Sequence, residues 1–183
     1  MQNLPNVMTI SRILGSAAVP FLIMLDTPIF RLLALAIFIA AALTDWLDGY
    51  LARQLNAVST LGRMLDPIAD KILVAVTLLA LANVDHWGWI MFIPAILILM
   101  REVFISGLRE FMSAQEFVIH VTTLAKFKTT FQLIALGFAI AAPITPELWQ
   151  IETITSVLMW IAATMTVITG WDYFKKAIAH DPS

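Results

Sequence analysis

Residues 29–51 read IFRLLALAIFIAAALTDWLDGYL, an apolar run that ends in two aspartates, Asp45 and Asp48. A helix that crosses the hydrocarbon core of a bilayer needs about 20 predominantly apolar residues, and this run has that length. The aspartates place two ionisable groups at one end of the run. The stretch therefore predicts a transmembrane helix that carries a polar site at one membrane face.

Similar apolar stretches fill the rest of the chain. Its 183 residues are 60% hydrophobic and 13% charged, with a mean hydropathy of +0.87, which is typical of a membrane protein. The breaks between stretches are short, so consecutive helices should be antiparallel neighbours. We predict an all-α integral membrane protein, a single domain over residues 1–183. Its six transmembrane helices form one bundle and span roughly residues 8–25, 29–51, 66–83, 88–111, 121–142 and 149–173.

The distribution of lysine and arginine predicts the orientation of these spans, because cytoplasmic loops carry an excess of both. With six spans, all but one of the 11 basic residues fall on the side of the N-terminus, and Arg31 alone falls on the other side. Adding or removing a span would distribute the basic residues over both sides of the membrane. The pattern predicts that both termini are cytoplasmic.

The composition also limits the chemistry of any metal site. The chain has no cysteine, which excludes disulfides, thiolate zinc sites and a cysteine nucleophile. The histidines, His86, His120 and His180, lack the partners at helical or turn spacing that metal-binding histidines need. The sequence has no stripe of basic residues that would indicate a nucleic-acid partner. Carboxylate oxygens are left as the main candidate ligands.

Four aspartates form the strongest candidate site. Asp45 and Asp48 are three residues apart, and Asp66 and Asp70 are four apart, so each pair lies on one face of its predicted helix. The two helices are antiparallel and joined by a short segment, which brings the pairs to the same membrane depth. Ionised carboxylates this close require cations. Hard divalent ions such as Mg²⁺ or Mn²⁺ prefer such an all-oxygen set, and two ions could share it.

An alternative is that these carboxylates pair with Arg53, Arg63 and Lys71 or simply face water. Small residues near the acids favour a ligand site instead. Gly49 sits within the predicted helix, where glycine costs about 1 kcal/mol relative to alanine. Ala52 and Gly62 each lie about one turn from the acids, although small residues also serve helix packing in membranes. Pro67 fits a first helical turn, which would set Asp66 near a favourable helix dipole, with the helix beginning at Asp66 or one turn earlier.

The acids and small residues together form a longer pattern. Asp45-Trp-Leu-Asp48-Gly49-Tyr-Leu-Ala52-Arg53, eight residues, then Gly62-Arg-Met-Leu-Asp66-Pro-Ile-Ala-Asp70 match every fixed position of D-x-x-D-G-x-x-A-R-x8-G-x-x-x-D-x-x-x-D. This signature resembles that of the CDP-alcohol phosphotransferase family, and the resemblance extends over the whole chain. Three further segments carry it: Asn3 to Arg12, Arg101 to Glu110, and Lys126 to Thr130. One position departs, since the family usually has glycine where this chain has Ala125.

The resemblance implies a homodimer of six-helix chains in the bacterial inner membrane, with its active site open to the cytoplasm. It implies that Asp45, Asp48 and Asp66 bind two Mg²⁺ or Mn²⁺ ions. Asp70, which completes the metal-binding cluster, would be the catalytic base. Residues that would bind the CDP-lipid are Gly49, Ala52, Arg53 and Gly62.

The implied reaction transfers the phosphatidyl group from CDP-diacylglycerol to glycerol 3-phosphate and releases CMP. The acceptor carries a phosphate that needs basic partners. The candidates flank the fourth and fifth spans, and the first two are preferred: Arg109, Lys126, Arg101 and Lys128. Their alternative role is to set the topology. Ser106 could donate to the acceptor or satisfy its own helix carbonyl.

Two other functions are compatible with parts of the pattern. A family member with another acceptor, such as inositol phosphate, serine or phosphatidylglycerol, would keep the same donor site. A divalent-cation transporter would also place acids in a membrane. It would explain neither Arg53 and the glycines nor the clustering of the acids at one membrane face.

Overall fold

The structure is a computed structural model. It describes the backbone of residues 4–55, 60–115, 117, 123–146 and 150–179. Side chains are described for these residues apart from 4–10, 45–64, 66, 67, 123 and 126.

The described residues form six α-helices and one short 3₁₀ turn over Ala142–Ile144, which confirms the all-α prediction for this part of the chain. Each helix overlaps one predicted span. The helices are α1 (Leu4–Met24), α2 (Pro28–Leu55), α3 (Thr60–Val84), α4 (Trp89–Ala114), α5 (Thr123–Ala141) and α6 (Ile151–Ile178).

Within the described residues, three helical segments are long and apolar enough to cross a membrane: Trp89–Ala114, Phe127–Ile144 and Ile151–Ile178. Two shorter apolar segments, Ser11–Met24 and Pro28–Thr44, precede them. At 1.5 Å per residue the 28-residue α6 is about 42 Å long, more than the thickness of a hydrocarbon core. These helices support the membrane class, while six spans and cytoplasmic termini stay predictions.

The start of α3 corrects one prediction. The helix begins at Thr60, so Pro67 lies well inside it and Asp66 is almost two turns from its N-terminus. The helix dipole acts mainly within the first turn. The interpretation that a nearby N-terminus stabilises Asp66 is therefore wrong.

The chain divides into two compact units. The first unit comprises Met1–Trp87 and Leu136–Glu152, and the second comprises Gly88–Ala135 and Thr153–Ser183. In the first unit α1 packs against both α2 and α3, and α2 also contacts α3.

The buried face of α1 follows helical spacing. Arg12, Ser16, Val19 and Ile23 are all buried, at intervals of four, three and four residues. These intervals place the four side chains on one stripe of the helix. The Ser16 hydroxyl donates to the carbonyl oxygen of Arg12 at 2.7 Å, which satisfies the buried hydroxyl within the helix. The packing of α1 thus carries a guanidinium into the interior of the first unit.

The second unit has its own core. A cluster of buried side chains joins its helices: Ile105, Met112, Ala125, Tyr173 and Ala177. Residues of α4, α5 and α6 contribute to this cluster. Small and hydroxyl-bearing residues dominate the buried face of α6, which allows close helix packing in a membrane.

Arg31 was the single exception to the charge asymmetry, and the structure shows how its charge is balanced. Its side chain is only 1% exposed and lies at the start of α2. The guanidinium donates to Asp26 Oδ1 at 2.8 Å and also binds the carboxylate of Asp85, just after α3. A buried charge with two carboxylates is stabilised where an unpaired one would cost several kcal/mol. The cluster fastens the α1–α2 connection to the end of α3.

We predict that Arg31→Gln lowers the free energy of unfolding by about 2 kcal/mol, because it leaves Asp26 and the partly buried Asp85 without their cation. Thermal or denaturant unfolding of the purified chain in detergent measures this. Lys175→Gln is the control: its ion pair with Asp172 is exposed and contributes about 0–1 kcal/mol. Equal losses in both variants would contradict a stabilising role for the ion pairs of Arg31 with Asp26 and Asp85.

Candidate functional site

Helices α2 and α3 carry the four aspartates. Asp45 and Asp48 belong to the C-terminal part of α2, and Asp66 and Asp70 to the N-terminal part of α3. Both helices belong to the first unit and contact each other. Because each pair lies within a single helix, its two aspartates are about one helical turn apart, as predicted. The side chains of Asp45, Asp48 and Asp66 lie outside the described residues, and so do those of the CDP-lipid candidates, Gly49, Ala52, Arg53 and Gly62.

Asp70 is the one aspartate of this cluster whose side chain the structure describes. The side chain is 47% exposed, and its Oδ1 lies 3.9 Å from Nη1 of Arg12. The Arg12 side chain is only 1% exposed. A largely buried cation therefore stands beside the carboxylate that was predicted to be the base. The arrangement leaves Asp70 accessible on one side while an ion pair from α1 restrains it on the other.

The basic candidates for the acceptor phosphate belong to the second unit. The Lys128 side chain is 4% exposed, and its ammonium group forms an ion pair with the Glu102 carboxylate. The same Glu102 oxygen lies 3.4 Å from Nη1 of Arg101. Glu102 thus stands between two cations, and it connects α4 to α5.

Arg101 is held on α4 by contacts with α6. Its Nη2 donates to the Thr169 hydroxyl at 3.4 Å, and its guanidinium carbon lies 5.8 Å from the centre of the Tyr173 ring. Gly170 makes room for the stem: a Cβ at this position would stand 3.1 Å from Cγ of Arg101. The buried Nε of Arg101 has no hydrogen-bond partner among the described residues. Arg101 is therefore fixed in place with donor capacity to spare.

The other predicted acceptor residues are less constrained. Arg109 is exposed on α4, and the side chain of Lys126 lies outside the described part of the chain. The Ser106 hydroxyl donates to the backbone carbonyl of Glu102, which supports the second of its two predicted roles. Ala125, the departure from the family pattern, is 8% exposed and belongs to the core cluster of the second unit. Its methyl group is used in packing.

Two residues at these sites were not assigned a role from the sequence. Arg12 was noted only as part of an N-terminal pattern, and Glu102 only as part of the α4 segment. A signal for both was present, because an ionisable side chain within an apolar span requires a partner. The identity of the partner depends on helix packing and could not be derived from sequence spacing.

Comparison with known proteins places the chain within one family. It matches the family described as CDP-alcohol phosphatidyltransferase over residues 2–168. A protein of Rickettsia bellii is 42% identical over 180 residues, covering 95% of this chain and 94% of the relative. One from Bacillus subtilis is 35% identical over 192 residues, covering 96% of this chain and 95% of the relative. Both relatives carry the name CDP-diacylglycerol–glycerol-3-phosphate 3-phosphatidyltransferase.

Proposed function

Because the chain belongs to the CDP-alcohol phosphatidyltransferase family, we propose that it transfers the phosphatidyl group of CDP-diacylglycerol to glycerol 3-phosphate and releases CMP. The observation that carries the proposal is the identity of 42% with a relative of that name, over 95% of this chain. The complete aspartate signature from Asp45 to Asp70 supports it independently.

The candidate metal ligands on α2 and α3 suit a divalent metal ion. They are four carboxylates, Asp45, Asp48, Asp66 and Asp70, with no softer ligand among them. Mg²⁺ and Mn²⁺ prefer such oxygen ligands. When bound, two such ions would neutralise the charge of the CDP-lipid diphosphate. We assign Asp45, Asp48 and Asp66 as the main ligands, with Asp70 at the edge of the cluster. The glycines, Ala52 and Arg53 bind the cytidine diphosphate portion.

Asp70 then accepts the proton of the acceptor. The 1-hydroxyl oxygen of glycerol 3-phosphate forms a bond to the phosphorus on the lipid side of the diphosphate, and the bond from that phosphorus to the CMP oxygen breaks. The hydroxyl proton passes to the Asp70 carboxylate. A base must reach its proton without being fully occupied as a ligand. The 47% exposure of Asp70 and the distance of 3.9 Å between its Oδ1 and Nη1 of Arg12 are compatible with this role.

The acceptor phosphate requires cations of its own. We propose that Arg101, Arg109 and Lys126 contribute, all of which fall on the predicted cytoplasmic side. The Arg101 side chain is 14% exposed, compared with 4% for Lys128, which supports its inclusion. Arginine suits this task because its planar guanidinium can bind a phosphate through two nitrogens.

The proposed topology has six spans, cytoplasmic termini and an active site facing the cytoplasm of a bacterium, where the chain forms a homodimer in the inner membrane. The charge asymmetry supports the orientation. Its exception, Arg31, is neutralised by Asp26 and Asp85, so it adds no unpaired positive charge on the far side.

CMP release with different acceptors tests the proposed reaction. We expect the purified chain in mixed micelles of CDP-diacylglycerol, with Mg²⁺ or Mn²⁺, to release CMP when glycerol 3-phosphate is added and to lose this activity with EDTA. Serine, inositol phosphate and phosphatidylglycerol serve as competing acceptors. Release with one of these and none with glycerol 3-phosphate would overturn the acceptor assignment while leaving the family's chemistry in place.

Asp70→Asn tests the role of the base. The amide keeps the size of the side chain but cannot accept the proton, so we expect kcat to fall by about 10²–10⁴-fold. Binding of CDP-diacylglycerol, measured by equilibrium titration, should change little. Asp172→Asn, at an exposed carboxylate of α6, is the matched control. If Asp70→Asn retained more than a tenth of the wild-type kcat, another group would have to be the base.

A further inference from the structure

Lys128 and Glu102 form the most deeply buried ion pair that the structure describes in the second unit. Their side chains are 4% and 15% exposed. Lys128 was a candidate to bind the acceptor phosphate directly, yet its ammonium already contacts a carboxylate inside the unit. A lysine in this setting would have to exchange a buried counter-ion for the substrate. The position of Lys128 therefore favours an indirect role.

Arg101 differs from Lys128 in what its contacts leave over. It gives Nη1 to Glu102 and Nη2 to Thr169, both at 3.4 Å, the long end of the hydrogen-bond range. Its Nε has no partner within the described residues. The side chain is 14% exposed, so it is more accessible than Lys128. Arg101 is thus the more accessible of the two cations, and it has N–H groups beyond those that bind Glu102 and Thr169.

Glu102 couples the two cations electrostatically. One carboxylate shared by two cations cannot neutralise both. The electrostatic potential around Arg101 is therefore more positive when Lys128 is present. Without Lys128, the full charge of Glu102 would fall on Arg101 and reduce its attraction for an anion. With glutamine in place of Glu102, Arg101 would keep an oxygen acceptor, but Lys128 would be a buried charge without this carboxylate and would disturb the position of Arg101.

From this geometry we infer that Glu102 and Lys128 are a positioning pair: they orient Arg101 and preserve its charge for the phosphate of the acceptor, and Lys128 does not bind that phosphate itself. The inference rests on the proposed function and goes beyond it by separating a substrate ligand from its supporting pair. The class of ligand is a phosphomonoester dianion, such as that of glycerol 3-phosphate. Gly170 also contributes to the position of Arg101, because it leaves room for the aliphatic part of this side chain.

A double-mutant cycle on the full chain tests the pair, with the KM for glycerol 3-phosphate, the KM for CDP-diacylglycerol and kcat measured by CMP release. We expect Glu102→Gln and Lys128→Gln each to raise the KM for glycerol 3-phosphate by about tenfold, with the KM for CDP-diacylglycerol changed less than about twofold. The double variant removes both charges together. Its KM for glycerol 3-phosphate should return to within about threefold of the wild type.

The controls separate positioning from folding. Glu110→Gln, at an exposed carboxylate on the same helix, should leave all three constants unchanged. The melting temperature of each variant reports structural damage, which alone would not shift one KM selectively. Glu102→Asp keeps the charge and should come closer to the wild type than Glu102→Gln.

Three outcomes would overturn the inference. If the double variant is as impaired as Lys128→Gln, the lysine binds the phosphate directly. If neither single variant alters the KM for glycerol 3-phosphate, the pair has only a structural role. If both KM values rise equally in both single variants, the pair does not act on the acceptor. A wild-type chain without activity toward glycerol 3-phosphate contradicts the proposed function itself, and the inference that rests on it falls with it.

Discussion

The packing of these helices depends on buried cations that need carboxylate partners. A charged side chain without a partner in an apolar interior costs several kcal/mol. Helix arrangements that bring a carboxylate to each buried cation are therefore strongly favoured. Each pair joins different segments of the chain and therefore restrains their relative register. The pairs are Arg31 with Asp26 and Asp85, Arg12 with Asp70, and Lys128 with Glu102.

The same pairing connects structure to chemistry. In the first unit, Arg12 brings positive charge from α1 to Asp70 on α3 and restrains that carboxylate. In the second unit, Glu102 shares its charge between a deeply buried lysine and a more accessible arginine. Each unit has an ion pair between two helices: Arg12 with Asp70 joins α1 to α3, and Lys128 with Glu102 joins α5 to α4. Such preorganisation suits phosphoryl transfer, in which catalysis is largely positioning and charge neutralisation.

Much of the fold and the main motif could be predicted from the sequence, because both depend on local patterns. Hydrophobic runs predicted all six helices, and the Asp45 to Asp70 signature indicated the family that the comparisons support. The partners of Arg12 and Lys128 could not be predicted, since they lie on other helices and depend on packing. The start of α3 at Thr60 could not be predicted from Pro67, because this proline favours a first helical turn but lies inside the helix.

We propose that the aspartates of α2 and α3 form a site for two divalent metal ions. Titration of the purified chain with Mn²⁺ in CDP-diacylglycerol micelles, followed by electron paramagnetic resonance, tests it most directly. We predict about two bound ions per chain in the wild type, with loss of binding in Asp45→Asn and Asp66→Asn and no loss in Asp172→Asn. Equal Mn²⁺ binding by the wild type and both signature variants would contradict the claim.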